Sequence, residues 1–424
     1  MIKKMVLDTD KRRIQRRGQI LILFSGGMSA AFSIILLMIS ARTVSIEETG
    51  ILTIALAIAK LLMNVGKYGM RNYQVTETKQ ITFKEWLYSR YITTVLMLLC
   101  TAGCIGYNIL LSGYSLYKAQ MVLLICLLYA VECIEDVYTG YYQKMGRIDV
   151  SSLLQIMRYI CLYFIYFAGL ILTHNLLLST IIALICSIVV LIMCTKRTLT
   201  FFETDKRTFE KNNIRTILKE CFPLFLMSFI LIYMSNAAKY EIDSVYDASV
   251  QAYYGFISTP IFAISLFSGF IFQPYLAELS NMWKECKINE FQKQVVKQFF
   301  LIVLISLISL LAGDLIGIPV LTWLFKANEL YAYKKIFLIL ILGGGGTAII
   351  NFYTAILVIF RKQNFVLYAH VLLGISTFFT VKLVKHNYGI MGMTIGIMLL
   401  TWILAIVLYV KYKLIVRQSR VLKD

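Results

Sequence analysis

Twelve long apolar stretches divide this chain, each long enough to cross a lipid bilayer as a helix. About 30 Å of hydrocarbon takes roughly 20 residues at about 1.5 Å each. The stretches lie near residues 18–40, 49–66, 91–111, 119–142, 151–173, 176–194, 217–238, 251–274, 295–313, 336–360, 365–383 and 390–410. They are solidly apolar rather than alternating, which excludes an outer-membrane β-barrel. The expected fold class is an all-α polytopic membrane protein with about 12 transmembrane helices.

Basic residues fix an orientation for that pattern. Thirty-two of the 42 Lys and Arg residues fall on one side, in the two tails and the loops after even-numbered spans. Eight fall on the other side, and Lys60 and Arg158 lie inside spans. The positive-inside rule then puts both termini in the cytoplasm. The net charge of +19 is accounted for by these loops meeting anionic membrane lipid, so no nucleic acid partner is needed. The nine cysteines lie mostly within spans and show neither Cys-x-x-Cys nor Cys/His ligand spacing. They read as small buried hydrophobes, with no metal and no disulfide framework. Span 1 is too long for the apolar region of a signal peptide and is expected to remain in the protein.

The loop 195–216 is the most charged internal stretch and leaves six spans on each side. Residues 1–195 are therefore expected to form an N-terminal six-helix lobe, 196–216 a cytoplasmic linker, and 217–424 a C-terminal six-helix lobe. A shift of 202 residues lays MRNY (70–73) over FQPY (272–275), and YYQKMGR (141–147) and IFRKQN (359–364) both end an apolar span on a basic turn. Both halves start on the same side, so the repeat is parallel. Transporters built from such repeats hold substrate between the halves and rock one against the other.

Ionisable groups inside spans are functional candidates, because hydrocarbon penalises charge. Lys60, Asn64, Lys67 and Arg71 stand at i, i+4, i+7 and i+11, the spacing of one helical face. Such a stripe either lines a wet cavity that attracts an anionic head group or gives Lys60 to a carboxylate of span 4. In the second half, Asn236, Lys239, Tyr240 and Asp243 share a face. There Lys239 either snorkels outward, pairs with Asp243, or completes the outer half of an anion path. Span 4 carries Glu132, Glu135 and Asp136, and Arg158 lies at a similar depth in span 5. Glu135 or Asp136 with Arg158 makes a buried ion pair; alternatively Glu132 or Asp136 takes up H+ or Na+ in energy coupling.

Other signals are structural. The glycines 343–346 allow close packing or flexing, and Pro223 and Pro260 allow bends in spans 7 and 8. His370 reads as a packed helix–helix donor. Trp86, Trp323 and Trp402 suit interfacial belts, and 75–90 and 277–297 read as short amphipathic helices on the membrane surface.

Several segments resemble a known family. NAAKYEID (236–243) with QAYYGFISTPIFAISLFSGFIFQPYLAELS (251–280), GKYGMRNYQVTE (66–77) and YYQKMGRIDVSS (141–152) are similar to the Wzx-like polysaccharide transporter branch of the MOP exporter superfamily. Many relatives have proline where Ala238 stands. The resemblance covers essentially the whole chain and implies a MATE/MOP-like pair of six-helix lobes in the bacterial cell membrane, around a cationic central cavity. It implies a flippase, not an enzyme, that moves an undecaprenyl-pyrophosphate-linked oligosaccharide from the cytoplasmic to the outer leaflet for cell-surface polysaccharide biosynthesis. It also implies membrane lipid, a glycan polymerase and glycosyltransferases as partners, and no cofactor. The alternatives are a multidrug or cation antiporter of the same superfamily, which would want an acidic cavity, a membrane glycan polymerase or ligase, which would want a large outer loop of catalytic residues, and a non-transporting scaffold.

Overall fold

The computed structural model describes residues 5, 10–77, 81–200, 209–272 and 275–421. Among these there is no strand. The chain forms two compact units, Met1–Ile232 and Tyr233–Asp424. The first contains α1 (Lys11–Thr43), α2 (Ile46–Lys67), the short α3 (Met70–Thr76), α4 (Phe83–Ser112), α5 (Leu116–Lys144), α6 (Ile148–Thr173), α7 (Leu176–Leu199) and the N-terminal part of α8 (Lys211–Val245). The second holds the rest of α8 with α9 (Ala248–Ser258), α10 (Ile261–Phe272), α11 (Leu276–Lys284), α12 (Ile288–Ala312), α13 (Ile318–Phe325), α14 (Lys334–Ile359) and α15 (Gln363–Val421). A π turn at Gly313–Gly317 and a 3-10 turn at Asn328–Tyr333 join its outer elements.

Among the described residues nine helices are long and apolar enough to cross a membrane by length and composition. One of them bends at Gly389, where φ is +57°, and so contains two of the expected spans. The other two expected spans are α5, which carries three carboxylates, and the α9–α10 pair, interrupted at Thr259 and Pro260. The protein is thus a multi-pass membrane protein of about twelve spans, as its apolar pattern required. Pro223, by contrast, sits within the continuous α8.

Helix starts in the first unit follow local chemistry. Ser45, Ser115 and Asn175 accept backbone N–H groups at the starts of α2, α5 and α7, and Thr82 with Glu85 forms a reciprocal cap on α4. These side chains satisfy amides that the first helical turn leaves without partners. Helix α2 stops at Lys67 because Tyr68 and Gly69 are both left-handed, with φ of +50° and +65°. Glycine tolerates that conformation; Tyr68 is held in it while its ring stacks on Phe225 at 4.8 Å.

The break corrects one expectation. Lys60, Asn64 and Lys67 lie on α2, but Arg71 lies on α3, so the four do not share one continuous helix. Lys60 is two turns from the end of α2, about 10 Å along its axis.

The segment 75–90 also differs from its expected surface helix. Residues 78–80 lie outside the described residues, and Phe83 onward is already the start of α4. Trp86 is 2% exposed and packs with Met70, Ile81, Ile217 and Cys221 instead of standing in an interfacial belt. In the second unit, α11 does form a short separate helix, whereas residues from Ile288 onward belong to α12.

The boundary between the compact units falls inside α8. The reason lies in side chains: Ile217 and Cys221 enter the Met70–Ile81–Trp86 cluster. The Glu85 carboxylate also accepts from Glu210 N at 2.7 Å and from Asn213 Nδ2 at 3.1 Å. Within the expected linker 196–216, residues 196–199 end α7 and 211–216 begin α8, while 201–208 lie outside the described residues.

In the second unit the glycine run of α14 stays helical and serves packing. Gly344 faces Ile261 and Ile264, Gly345 faces Ser306, and Gly346 faces Thr401 and Trp402. His370 is buried, with Nδ1 2.8 Å from the Val366 carbonyl oxygen one turn back, so it serves its own helix rather than a neighbour.

Candidate functional site

Helix α5 packs against α2, α3, α4, α6 and α7, so its polar residues have nowhere to go but into the unit. Glu132, Glu135 and Asp136 occupy one and a bit turns of it and are all less than a tenth exposed. Each meets a cation from a different helix. Lys67 Nζ of α2 lies 2.6 Å from Glu132 Oε1, and Tyr159 of α6 donates its hydroxyl to Glu132 Oε2 at 3.0 Å. Arg158 of α6 places Nη2 2.7 Å from Glu135 Oε2 and reaches Ser187 Oγ of α7 with Nη1 at 3.3 Å. Its guanidinium also lies over the Tyr159 ring, 4.5 Å from the centroid. Arg90 of α4 places Nη2 2.8 Å from Asp136 Oδ2 and donates from Nη1 to the Gly66 carbonyl at 2.6 Å.

Arg71 stands at the edge of this network. Its Nη1 is 3.8 Å from Asp136 Oδ1, and its Nε and Nη2 donate to Gln143 Oε1 at 3.3 and 3.2 Å. Asn64 turns its amide onto the Lys60 carbonyl of its own helix at 3.0 Å. Lys60 faces the same cluster, within electrostatic reach of both Glu132 and Lys67. The structure therefore brings together Lys60, Lys67, Arg71, Glu132, Glu135, Asp136 and Arg158, and it selects Glu135 over Asp136 as the partner of Arg158. Lys239 belongs to the second unit, half-buried on α8. Nearby in sequence, Glu241 holds a second-unit lysine, Lys385, at 2.7 Å.

Sequence reasoning missed Arg90, which is 0% exposed and the most enclosed cation of the network. Hydropathy alone places it in the loop before span 3. The signal was present in TFKE (82–85), a capping box that starts α4 early and puts Arg90 two turns inside the helix. Gln143, Tyr159 and Ser187 were missed as well; nothing in their spacing marks them as partners of charge.

Among the described residues, five basic side chains (Lys60, Lys67, Arg71, Arg90 and Arg158) and three carboxylates (Glu132, Glu135 and Asp136) gather here. By formal charge, these described residues carry two more positive groups than negative ones. In a low-dielectric interior such a surplus attracts an anion and repels a cation.

The fold is that of the multidrug-and-toxin-extrusion transporters of the MOP superfamily. An inward-facing structure of a multidrug resistance transporter of that family superposes with a TM-score of 0.64 at 11% identity, over 92% of this chain and 95% of the other. A mutant form of the Vibrio cholerae transporter VcmN gives 0.62 at 13% identity over 97% and 99% of the two chains. A MOP superfamily transporter from Pyrococcus furiosus, described as having a binding pocket of reverse polarity that suggests a different function, gives 0.62 at 12% identity over 98% of each. No curated protein matches the chain by sequence. The chain belongs to the polysaccharide biosynthesis protein family, whose sequence profile matches residues 16–280. The fold is one shared with membrane transporters.

Proposed function

We propose that this protein is a flippase that carries an undecaprenyl-pyrophosphate-linked oligosaccharide from the cytoplasmic to the outer leaflet of a bacterial cell membrane, by alternating access of its two units. The observation that carries the reading is the positive surplus inside the first unit of a polysaccharide biosynthesis family member. A diesterified pyrophosphate bears one negative charge on each phosphate, which matches that surplus. Neither phosphates nor sugar hydroxyls enter hydrocarbon unaided, because each would lose its hydration without compensation. Lys60, Lys67 and Arg71 replace that hydration along α2 and α3, with Lys239 serving the second unit. The prenyl chain needs no such help and stays in lipid.

The antiporter reading has one observation in its favour, the fold shared with multidrug transporters. The positive cluster opposes it for cationic drugs, and the Pyrococcus furiosus relative is itself described by a reversed pocket polarity. Proteoliposomes carrying a defined prenyl-pyrophosphate oligosaccharide in one leaflet, probed by a lectin or glycosidase added outside, separate the two. Flipping of the glycolipid is expected. Export of cationic dyes without glycolipid movement would overturn the assignment.

The direction of transport rests on the basic loops. Single cysteines placed in 195–216 of a chain stripped of its own are expected to resist membrane-impermeant maleimide added to intact cells, while cysteines in 243–249 react. The reverse labelling pattern would invert the orientation.

A further inference from the structure

The cations of the first unit differ in what holds them. Lys67, Arg90 and Arg158 lie 2.6, 2.8 and 2.7 Å from a carboxylate oxygen. Among the described residues, the carboxylate nearest to Arg71 is Asp136, 3.8 Å away and already paired with Arg90. The hydrogen bonds of Arg71 go instead to a neutral group: Nε and Nη2 both donate to Gln143 Oε1, at 3.3 and 3.2 Å. A guanidinium held by a carboxylate is neutralised, whereas one held by an amide oxygen is oriented and keeps its charge. The Arg71 side chain is also 31% exposed, while those of Arg158 and Arg90 are closed off. Of these four cations, Arg71 is the one in which accessibility and an unneutralised charge coincide.

Gln143 is placed for this contact by the end of its helix. It is the residue before the last of α5, and its carbonyl accepts from Gly146 N at 3.0 Å in the turn that follows, where Gly146 has φ of +73°. The docking of α3 on α5 does not depend on it. Gln74 Nε2 donates to the Val137 carbonyl at 3.2 Å, in room left by Gly140, and Met70 is buried beside Trp86. Loss of the Gln143 amide therefore frees the Arg71 side chain without releasing its helix. A freed guanidinium so near Asp136 closes onto that carboxylate, the strongest acceptor within its reach.

We propose that Gln143 is a positioning residue for the anionic head group: as a neutral acceptor it holds Arg71 off Asp136 and keeps the guanidinium charge available to a phosphate. The proposal rests on the anionic substrate class argued above and adds the residue that makes Arg71 usable. Two of the Arg71 N–H groups are spent on Gln143 Oε1, and the rest of the fork remains for phosphate oxygens. Gln143→Met removes the acceptor at similar size, so Arg71 turns inward and head-group binding weakens roughly fivefold. Gln143→Glu keeps the acceptor geometry but neutralises Arg71, and binding weakens by more than about tenfold. Both effects pass through Arg71. In an Arg71→Met background, which itself binds roughly tenfold more weakly, Gln143→Met is expected to change affinity by less than about twofold.

The test is calorimetric titration of the full-length protein in detergent with a short-chain prenyl pyrophosphate esterified to one sugar, on the wild type, the single variants and the Arg71→Met, Gln143→Met double variant. Weaker binding by Gln143→Met, still weaker binding by Gln143→Glu, and a double variant no worse than Arg71→Met are the expected results. A Gln143 residue that only supported the fold would weaken binding by the same factor whether or not Arg71 is present. That additive outcome, or wild-type affinity in Gln143→Met or Gln143→Glu, overturns the positioning role while leaving the substrate class standing. No saturable binding by the wild type overturns both. Should Gln143→Glu fail to fold, the cycle built on Gln143→Met and Arg71→Met decides alone.

Discussion

Arg158→Met is expected to destabilise the first unit by about 3–5 kcal/mol, and Arg158→Met with Glu135→Met to recover most of that loss. The single change leaves the Glu135 carboxylate, 4% exposed, without the cation that lies 2.7 Å away. It also removes the donor to Ser187 and the charge over the Tyr159 ring. The pair itself is not an ideal one, because Arg158 Nε is buried without a hydrogen-bond partner. Part of the guanidinium is therefore desolvated without compensation, and two methionines can fill the space at little net cost. Ser187→Ala, which removes only a neutral acceptor, should cost about 1 kcal/mol. Thermal unfolding of purified protein in detergent, followed by the fraction that remains monodisperse on a sizing column, gives the ranking. A double variant no more stable than Arg158→Met would show that the two residues do not depend on each other.

This pair was legible in the sequence because depth and spacing both pointed to it. Carboxylates at 132, 135 and 136 lie on neighbouring turns, and an arginine seven residues into the next span must reach back to them or stay uncompensated. Arg90 was not legible by the same logic. Hydropathy draws the edge of span 3 at residue 91, and an arginine just outside an apolar run looks like an ordinary interfacial charge. Only the capping box at Thr82 and Glu85 shows that the helix starts earlier. The end of α2 was hidden for a different reason. Lys60, Asn64, Lys67 and Arg71 satisfy helical spacing, but the left-handed Tyr68 is set by contact with Phe225, some 150 residues further on. Periodicity sees one helix at a time and cannot register a partner so distant in sequence. The same holds for the division of the chain inside α8, which follows from Ile217 and Cys221 packing beside Met70 and Trp86 rather than from any charged linker.

Lys60→Glu is expected to reduce flipping by more than about 100-fold while the protein still inserts and purifies as a monodisperse species. Removing this ammonium and adding a carboxylate changes the cluster from five cations against three carboxylates to four against four, so the surplus that attracts a pyrophosphate vanishes. At an effective dielectric of about 20, a unit charge 4 Å from a phosphate is worth about 4 kcal/mol, and the substitution reverses the sign of one such interaction. Lys60→Ala removes the attraction without adding repulsion, so it should lose less than Lys60→Glu. Lys60→Arg should keep partial activity, since the charge survives while the shape changes. The order Arg, then Ala, then Glu is what separates an anion site from a structural role. If Lys60 merely neutralised Glu132, its loss would lower the amount of folded protein in step with activity, and Lys60→Arg would repair both. Rates measured per folded molecule in proteoliposomes remove that ambiguity. Wild-type flipping by Lys60→Glu would mean that the positive surplus of the first unit has no part in carrying the head group.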